Sequence, residues 1–267
     1  MKLTAMSTLC VDVIGDAKEI RPGGEALNFA VHAEKYSNIS VSIIGAIGDD
    51  QYGNAIMQSI QDIKIDKTCI HIINGGTTAN NRIYLTEDGD RYFRADSWTN
   101  GVLTEYRLGE DDINLIKISD VVFLNYYCPY FSDILEMKTK YGFKLAVDFD
   151  EERDFIEMEK VAAYIDFFMI SGNEEILHIF KNWSEKYAGL FNITLAEKGS
   201  VTYCNGREYR VAAVPVAEVT DTTGCGDSYH AGFVCSYLDK GDIVASMEEG
   251  SRVASGTLQH YGGFPIQ

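Results

Sequence analysis

The alternation of short buried strands with amphipathic helices is the feature that most constrains this fold. Six short runs rich in β-branched and aromatic residues read as buried strands: TLCVDVI, VSIIGAI, VVFLN, LAVDF, DFFMI and FNITL. Between them lie segments with helical periodicity, among them GGEALNFAVHAEKYS, YGNAIMQSIQDI, YFSDILEMKTK and DSYHAGFVCSYL. This alternation predicts an α/β fold in which a mainly parallel sheet is flanked by helices, with binding loops at the carboxyl ends of the strands.

One region interrupts the alternation. Residues 77–96, TTANNRIYLTEDGDRYFRAD, read as two strands joined by the turn-like EDGD, a β-hairpin where a helix is due. A hairpin that projects from an α/β core is either a lid or the contact of a homodimer. Because the 267 residues contain no internal repeat and no linker, we expect a single domain over 1–267 with this hairpin as an insertion.

Charge and composition exclude several classes of partner. With 23 Lys and Arg against 40 Asp and Glu, the formal net charge is −17, which repels nucleic acids and anionic membranes. The six cysteines form no C-x-x-C pair, the N-terminus lacks a signal-peptide pattern, and no apolar stretch approaches the ~20 residues that span a bilayer. We therefore expect a reduced, cytoplasmic protein. The five histidines form no H-x-x-x-H cluster, so a transition-metal site is not expected.

The segment DTTGCGDSYHAGF, residues 221–233, carries the chemistry. Its small residues 224–226 are predicted to lead into a helix that holds Asp227 in its first turn. Unpaired N–H groups and the positive end of the helix dipole would make this turn an anion pocket. Asp227 could then take a proton from a hydroxyl while the N–H groups stabilise a phosphoryl group in transfer. An N-capping aspartate after a glycine-rich turn gives the same pattern, so the motif alone leaves both interpretations open.

Separated motifs together resemble the ribokinase-like (PfkB) family of carbohydrate and nucleoside kinases. DTTGCGD is similar to the D-T-x-G-A-G-D signature of that family, with Cys225 where alanine is usual. GGEALN, residues 23–28, resembles its G-G-x-x-x-N signature, and IGDDQYG, residues 47–53, its G-D-D-x-x-G. The resemblance runs in order from about Asp12 to Gly262. It implies an α/β core with a small β lid, sugar under the lid and ATP at the C-terminal half.

The resemblance assigns roles position by position. The catalytic base and the amides of the anion hole would be Asp227, Gly224, Cys225 and Gly226. The residues that bind the sugar would be Asp12, Gly24, Asn28 and, from the lid, Arg94. We expect Asp12 to end a strand, where its carboxylate could accept two hydroxyl hydrogen bonds. Asn28 should lie one helical turn beyond Gly24, with a donor and an acceptor to offer. For Asp12 and Arg94, the alternative is a solvated side chain at the surface that takes no part in sugar binding.

The elements for ATP and metal ions depart from the family pattern. TLAEKG resembles the T-L-G-x-x-G loop for the ATP phosphates, but Ala196 replaces the first glycine, so we expect a shifted loop or one with only negative φ. The implied nucleotide contacts are Thr194, Ala196, Glu197, Gly199, Gly226 and Ala254. SGNEEI falls near an N-x-x-E element that supports the water shell of Mg²⁺, but its register fails, so Glu174 is either a water-mediated ligand or part of a surface helix start. Asp221 matches a position that anchors K⁺ in many relatives.

The implied function is phosphorylation of a sugar hydroxyl by ATP and Mg²⁺. Within the family the chain most resembles the branch that phosphorylates the 6-hydroxyl of fructosamines such as fructoselysine, through GGEALNFAVHAEKYS, GTTANNRIYLTEDGDRYF and GTLQHYGGF. Fructokinase, ribokinase or nucleoside-kinase activity and a catalytically silent sugar-binding relative are the alternatives. Asp227 favours an enzyme, because a binding protein has no need of that acid. A dinucleotide-dependent oxidoreductase would need a G-x-G-x-x-G spacing that IGDDQYG lacks.

Overall fold

The computed structural model describes residues 1–15, 19–85, 91–92 and 94–266. The turn EDGD of the predicted hairpin lies in 86–90, outside the described residues. Within the described part of the chain, none of the helices combines the length and the hydropathy that a membrane span requires.

Strands and helices alternate through most of the chain. In chain order the strands are β1 Lys2–Met6, β2 Cys10–Ile14, β3 Glu19–Gly23, β4 Ser40–Gly48, β5 Asp66–Ile73, β6 Ala79–Leu85, β7 Arg91–Tyr92, β8 Trp98–Thr99, β9 Val121–Asn125, β10 Lys144–Asp148, β11 Phe167–Ser171, β12 Leu190–Thr194, β13 Ser200–Cys204 and β14 Arg207–Val211. The helices are α1 Glu25–Ala33, α2 Gln51–Ser59, α3 Glu110–Lys117, α4 Phe131–Tyr141, α5 Phe155–Ala162, α6 Leu177–Lys186, α7 Cys225–Lys240 and α8 Ile243–Thr257.

The described strands form two sheets. The larger has nine strands in the order β14-β13-β12-β11-β10-β9-β1-β4-β5, and its pairs are parallel except β12 with β13 and β13 with β14. The smaller has the order β3-β2-β6-β7, with β8 also paired to β6. The predicted α/β fold, a mainly parallel sheet flanked by helices with a small β lid, is confirmed.

Helices cover both faces of the large sheet because each presents one apolar stripe to it. On one face the packing side chains come from α1, α2, α7 and α8, with Phe29, Ile56, Phe233 and Met247 among them. On the other face they come from α3, α4, α5 and α6, with Ile116, Ile134, Met158 and Phe180 among them. Phe29 of α1 stacks on Phe123 of β9 with 3.7 Å between ring centroids, which fixes the start of α1 against the sheet.

The smaller sheet draws on two distant parts of the chain, so the predicted hairpin supplies only part of it. TLCVDVI was expected to be a strand of the core, whereas Cys10–Ile14 pairs with β3 and β6 in the smaller sheet. Asp12 therefore lies in the middle of β2 and not at a strand end, which corrects the sequence expectation. The reason is that Lys2–Met6 already occupies the place beside β4 and β9, and hydrophobic periodicity does not specify a strand's sheet.

The IGDDQYG motif stabilises the junction between the core and the smaller sheet. Asp50 caps α2, since its Oδ1 accepts the N–H of Gly53 at 2.9 Å. The same carboxylate accepts the N–H and the hydroxyl of Thr78, at 2.9 and 2.7 Å, just before β6 begins. These bonds hold the pKa of Asp50 below its usual value. The motif thus ties the base of β6 to the first turn of α2.

Candidate active site

A cavity of about 480 Å³ is lined by residues of both sheets. The core contributes Ser7 and Asn125, which lie at the carboxyl ends of β1 and β9, as expected for a parallel sheet. The smaller sheet contributes Asp12 of β2, Asn81 of β6 and Trp98 of β8. These strands therefore close one side of the cavity, as a lid would, and a dimer contact through them stays a prediction.

Most of the predicted sugar and catalytic residues meet in this cavity. The structure brings together Asp12, Gly24, Asn28, Gly224 and Asp227. Asn28 links two helix starts, because its Nδ2–H of α1 donates to Oδ2 of Asp227 in α7 at 2.8 Å. The Oδ1 of Asn28 is buried and has no hydrogen-bond partner among the described residues. This oxygen packs against Gly263, where an added Cβ would lie 2.2 Å from it.

The turn before α7 has the geometry of an anion pocket. Gly224 has φ +72°, and an added Cβ would lie 2.4 Å from Cα of Gly263, so only glycine fits there. The first helical bond of α7 runs from the N–H of Ser228 to the carbonyl of Gly224 at 2.9 Å. The N–H groups of the residues between them therefore lack i−4 partners and point toward the helix start. That of Cys225 donates to the carbonyl of Thr222 at 3.2 Å, which leaves those of Gly226 and Asp227 for a ligand.

Asp221 fixes the turn before α7 through hydrogen bonds. Its Oδ1 accepts the N–H and the hydroxyl of Thr223 at 3.0 and 2.8 Å, and its Oδ2 accepts the N–H of Gly262 at 2.9 Å. The guanidinium of Arg21, from β3, lies 3.5 Å from the same Oδ2 and stacks over the ring of Tyr261. A buried carboxylate thus joins the turn to the C-terminal segment and to the lid.

The electrostatics of the site favour a proton-accepting role for Asp227. Loss of hydration and the neighbouring carboxylates of Glu25 and Asp148 raise the pKa of Asp227 well above its usual value, against the hydrogen bond from Asn28. Burial also raises the pKa of Glu25, whose Oε2 has no hydrogen-bond partner among the described residues. A carboxylate with a raised pKa is a stronger base for a hydroxyl proton.

Removal of the Glu25 charge is expected to change the pH dependence of the reaction. Asp227 accepts a proton only when it is ionised, so activity is lost as pH falls through its pKa. Glu25→Gln removes a negative neighbour and lowers that pKa, so the acidic limb of the kcat/KM profile should move to lower pH. Asp62→Asn, an exposed acid after α2, is the matched control and should leave the limb in place. An unmoved limb in Glu25→Gln would show that the Glu25 charge does not act on the ionisation that limits activity.

Sequence reasoning missed several lining residues. Glu25 lies inside the quoted GGEALN, and Asn125 is the polar residue that ends the predicted strand VVFLN. Both could have been found as polar side chains at a helix start and at the carboxyl end of a parallel strand. Trp98 and Tyr127 carry no such signal, because their place depends on how the lid lies over the core.

Two predicted site residues lie elsewhere. Arg94 is exposed, does not line the cavity, and places its guanidinium 3.9 Å from the ring centroid of Tyr84. Glu174 is exposed, and its carboxylate accepts two hydrogen bonds from the guanidinium of Arg210, at 2.8 and 3.2 Å. This pair lowers the pKa of Glu174. The roles of Arg94 in sugar binding and of Glu174 at Mg²⁺ stay predictions.

The loop after β12 contains an unusual backbone conformation. Of the two expectations for this loop, the one with only negative φ is wrong, because the φ of Ala196 is +52°, and a shifted loop stays a prediction. Gly199 has φ +91°, and an added Cβ would lie 2.1 Å from the carbonyl oxygen of Val211. The loop therefore keeps a glycine-like conformation at Ala196, at a cost of roughly 1–2 kcal/mol. Thr194, Glu197 and their neighbours line neither described cavity, so their contacts to ATP stay predictions.

Relief of this strain gives a stability prediction. Ala196→Gly should raise the free energy of unfolding by about 1 kcal/mol, measured by urea denaturation, because glycine tolerates φ +52°. The control is Ala163→Gly at the exposed end of α5, where φ is −66°. Glycine there should lower the free energy of unfolding by roughly 0.5–1 kcal/mol. Equal losses in both variants would show that Ala196 is not strained.

A second cavity of about 420 Å³ is lined mainly by residues that precede the anion turn in the chain. Its lining residues are Val214, Pro215, Val216, Ala217, Glu218, Thr220, Ser255 and Gln259. Ala254 is buried beside this cavity in α8, and its carbonyl oxygen lies 4.0 Å from Sγ of Cys225. Thr220 lines the second cavity while Thr223 and Gly224 line the first. Residues just before the anion turn therefore line the second cavity, and residues of the turn itself line the first.

Fold and site together define an α/β transferase, and comparison with known proteins identifies its family. The chain belongs to the pfkB family of carbohydrate kinases, whose sequence profile matches residues 11–265. The protein is accordingly a phosphotransferase that acts on a sugar hydroxyl, and the predicted family and enzyme class are confirmed.

Individual relatives agree with this family. The chain is 29% identical over 265 residues to the fructoselysine 6-kinase of Shigella flexneri, covering 98% of this chain and 99% of the relative. It is 28% identical over 272 residues to the fructosamine kinase FrlD of Bacillus subtilis, covering 99% and 93%. In structure it resembles the ribokinase of Arabidopsis thaliana complexed with ribose and ATP, with a TM-score of 0.79 and 18% identity over 99% of this chain and 95% of that one.

Proposed function

We propose that this kinase transfers the γ-phosphoryl group of ATP to the 6-hydroxyl of a fructosamine such as fructoselysine. The observation that carries the substrate class is the charge of the first cavity. Three acids line it, Asp12, Glu25 and Asp227, and its described lining contains no Lys, Arg or His. Such a lining tolerates a sugar with a cationic amine and disfavours sugar acids and sugar phosphates. The names of the relatives in Shigella flexneri and Bacillus subtilis support the same class.

Different residues perform different parts of the phosphoryl transfer. Asp227 takes the proton of the 6-hydroxyl as its oxygen forms a bond to the γ-phosphorus and the bond to the ADP oxygen breaks. Asn28 holds the Asp227 carboxylate through a hydrogen bond of 2.8 Å. The N–H groups in the first turn of α7, those of Gly226 and Asp227, stabilise the charge on the transferred group. We place the adenine in the second cavity, beside Ala254.

Ribokinase-like kinases use ATP with a divalent metal ion, and the site fits Mg²⁺. The described residues contain no group of three or more metal-ligating side chains, in keeping with an ion that keeps most of its waters and binds one or two carboxylates and the phosphates. Near Asp227 the carboxylate of Glu25 supplies an oxygen donor, because its Oε2 lacks a hydrogen-bond partner among the described residues. When bound, Mg²⁺ neutralises phosphate charge.

The surroundings of Asp221 do not fit a potassium ion. Both carboxylate oxygens accept hydrogen bonds from N–H and O–H donors, and the guanidinium of Arg21 already supplies a positive charge. We therefore expect equal turnover in K⁺ and in tetramethylammonium at the same ionic strength. Faster turnover in K⁺ would contradict this expectation and show that the ion acts at the turn.

A substrate panel tests the proposed function. ADP release should be measured with Mg-ATP and fructoselysine, glucoselysine, fructose, ribose or adenosine. A charge-assisted hydrogen bond to the amine is worth about 1.5–3 kcal/mol, so kcat/KM for fructoselysine should exceed that for fructose at least about tenfold. A tenfold preference for fructose or ribose would overturn the fructosamine assignment in favour of a fructokinase or a ribokinase.

A further inference from the structure

Two exposed aromatic side chains lie at the opening of the first cavity. Trp98, on β8 of the smaller sheet, is 44% exposed, and Tyr127, two residues after β9 of the core, is 57% exposed. Aromatic surface left in water forgoes the stabilisation that burial provides. A ligand that covered both rings would recover it.

Both side chains are held at their polar ends. The Nε1–H of Trp98 donates to Oδ1 of Asn100 at 2.7 Å. The hydroxyl of Tyr127 donates to Oε2 of Glu152 at 3.1 Å, and its ring meets that of Tyr126 edge-on, with 5.7 Å between centroids. Rings fixed in this way lose little conformational freedom when a ligand arrives. They form a preorganised surface.

The cavity has two chemically different parts. Its buried lining is polar and includes Thr8, Asn28 and Asn125. Its outer lining adds apolar surface, since Leu103 and Pro129 accompany the two aromatic side chains beside the polar Asn100 and Thr104. A matching ligand has a polyhydroxylated part that enters the cavity and a less polar part that stays at the opening.

We infer that Trp98 and Tyr127 form an aromatic mouth that binds the amine and the side chain attached to C-1 of the sugar, and so determine specificity. This inference rests on the proposed function. With the 6-hydroxyl at Asp227, C-1 lies at the other end of the sugar, and its substituent leaves past the exposed lining. A cationic amine is attracted to an aromatic face, and an aliphatic chain gains apolar contact with it. Glu152, bonded to Tyr127, adds a carboxylate beside the mouth.

The test compares substrates that carry increasingly large groups at C-1 of the sugar. kcat/KM should be measured for fructose, 1-deoxy-1-methylaminofructose and fructoselysine with wild type, Trp98→Ala and Tyr127→Ala. Each variant should lose about tenfold with fructoselysine, mainly through KM, and change less than about threefold with fructose. Trp98→Phe should keep most of the preference. Tyr164→Ala is the matched control, because Tyr164 is 45% exposed and lies outside the cavity.

The outcomes separate this inference from the proposed function. A wild-type enzyme that does not prefer fructoselysine to fructose overturns the proposed function, and the aromatic mouth with it. A wild-type preference that survives in both alanine variants overturns the mouth alone. Equal losses with fructose and fructoselysine also overturn it, because they would show that the rings only support the lid.

Tryptophan fluorescence provides a readout without turnover. The chain has two tryptophans, and Trp183 is buried in α6. In Trp183→Phe all tryptophan emission comes from Trp98, so saturating fructoselysine should quench or shift it, and fructose should change it much less. Unchanged emission with bound fructoselysine would contradict contact at the mouth.

Discussion

Asp227→Asn is expected to lower kcat about 10²–10⁴-fold, the usual effect of removing a general base. The amide keeps the shape of the side chain but cannot accept the hydroxyl proton. Binding of ATP and of sugar should stay close to wild type, as measured by isothermal titration calorimetry, because the anion turn and the cavity are unchanged. The loss should therefore appear in kcat rather than in the dissociation constants.

The matched control for this change lies in the same helix. Asp239→Asn alters an exposed acid near the end of α7, where it accepts a hydrogen bond from Nδ2 of Asn38. It should leave kcat unchanged. If Asp227→Asn retained more than half of the wild-type kcat, Asp227 would have no part in proton transfer.

Gly226→Ala is expected to stabilise the protein and yet to impair it as an enzyme. Gly226 lies in the first turn of α7, and an added Cβ would have no described atom within 4 Å. Alanine at a helical position should raise the free energy of unfolding by roughly 0.5–1 kcal/mol. The new methyl group would occupy the space through which a phosphoryl group approaches the N–H groups, so kcat/KM for ATP should fall about 10²-fold.

Gly256→Ala provides the matched comparison in α8. An added Cβ at Gly256 also has open space around it, so it should bring the same gain in stability without a loss of activity. Urea denaturation and ADP release separate the two effects. Full activity in Gly226→Ala would place the phosphoryl group away from this turn.

The core of the fold could be predicted because its strands are short, continuous and buried. Five of the quoted runs, from VSIIGAI to FNITL, became neighbouring or near-neighbouring strands of the large sheet. Cys10–Ile14 was placed wrongly, because Val11 and Val13 are buried whichever sheet the strand joins. Only the competition with β1, a strand not recognised in the sequence, sends it to the lid.

The site was predictable where a motif fixes the backbone. Gly24 and Gly224 have positive φ, and added Cβ atoms would meet backbone atoms, so sequence alone marks both positions. The contact between Asn28 and Asp227 joins residues 199 apart and required the packing of α1 against α7. Trp98 depends on how the lid sheet lies over the core, which no local pattern encodes.

Transfer to the 6-hydroxyl is tested most directly by identifying the product formed from fructoselysine. Purified enzyme, Mg-ATP and fructoselysine labelled with ¹³C at C-6 should be followed by ³¹P and ¹³C NMR. We expect one phosphomonoester coupled to C-6, formed in equal amount with ADP, and no such product with Asp227→Asn. A phosphoester at another carbon, or release of inorganic phosphate without any sugar phosphate, would contradict it.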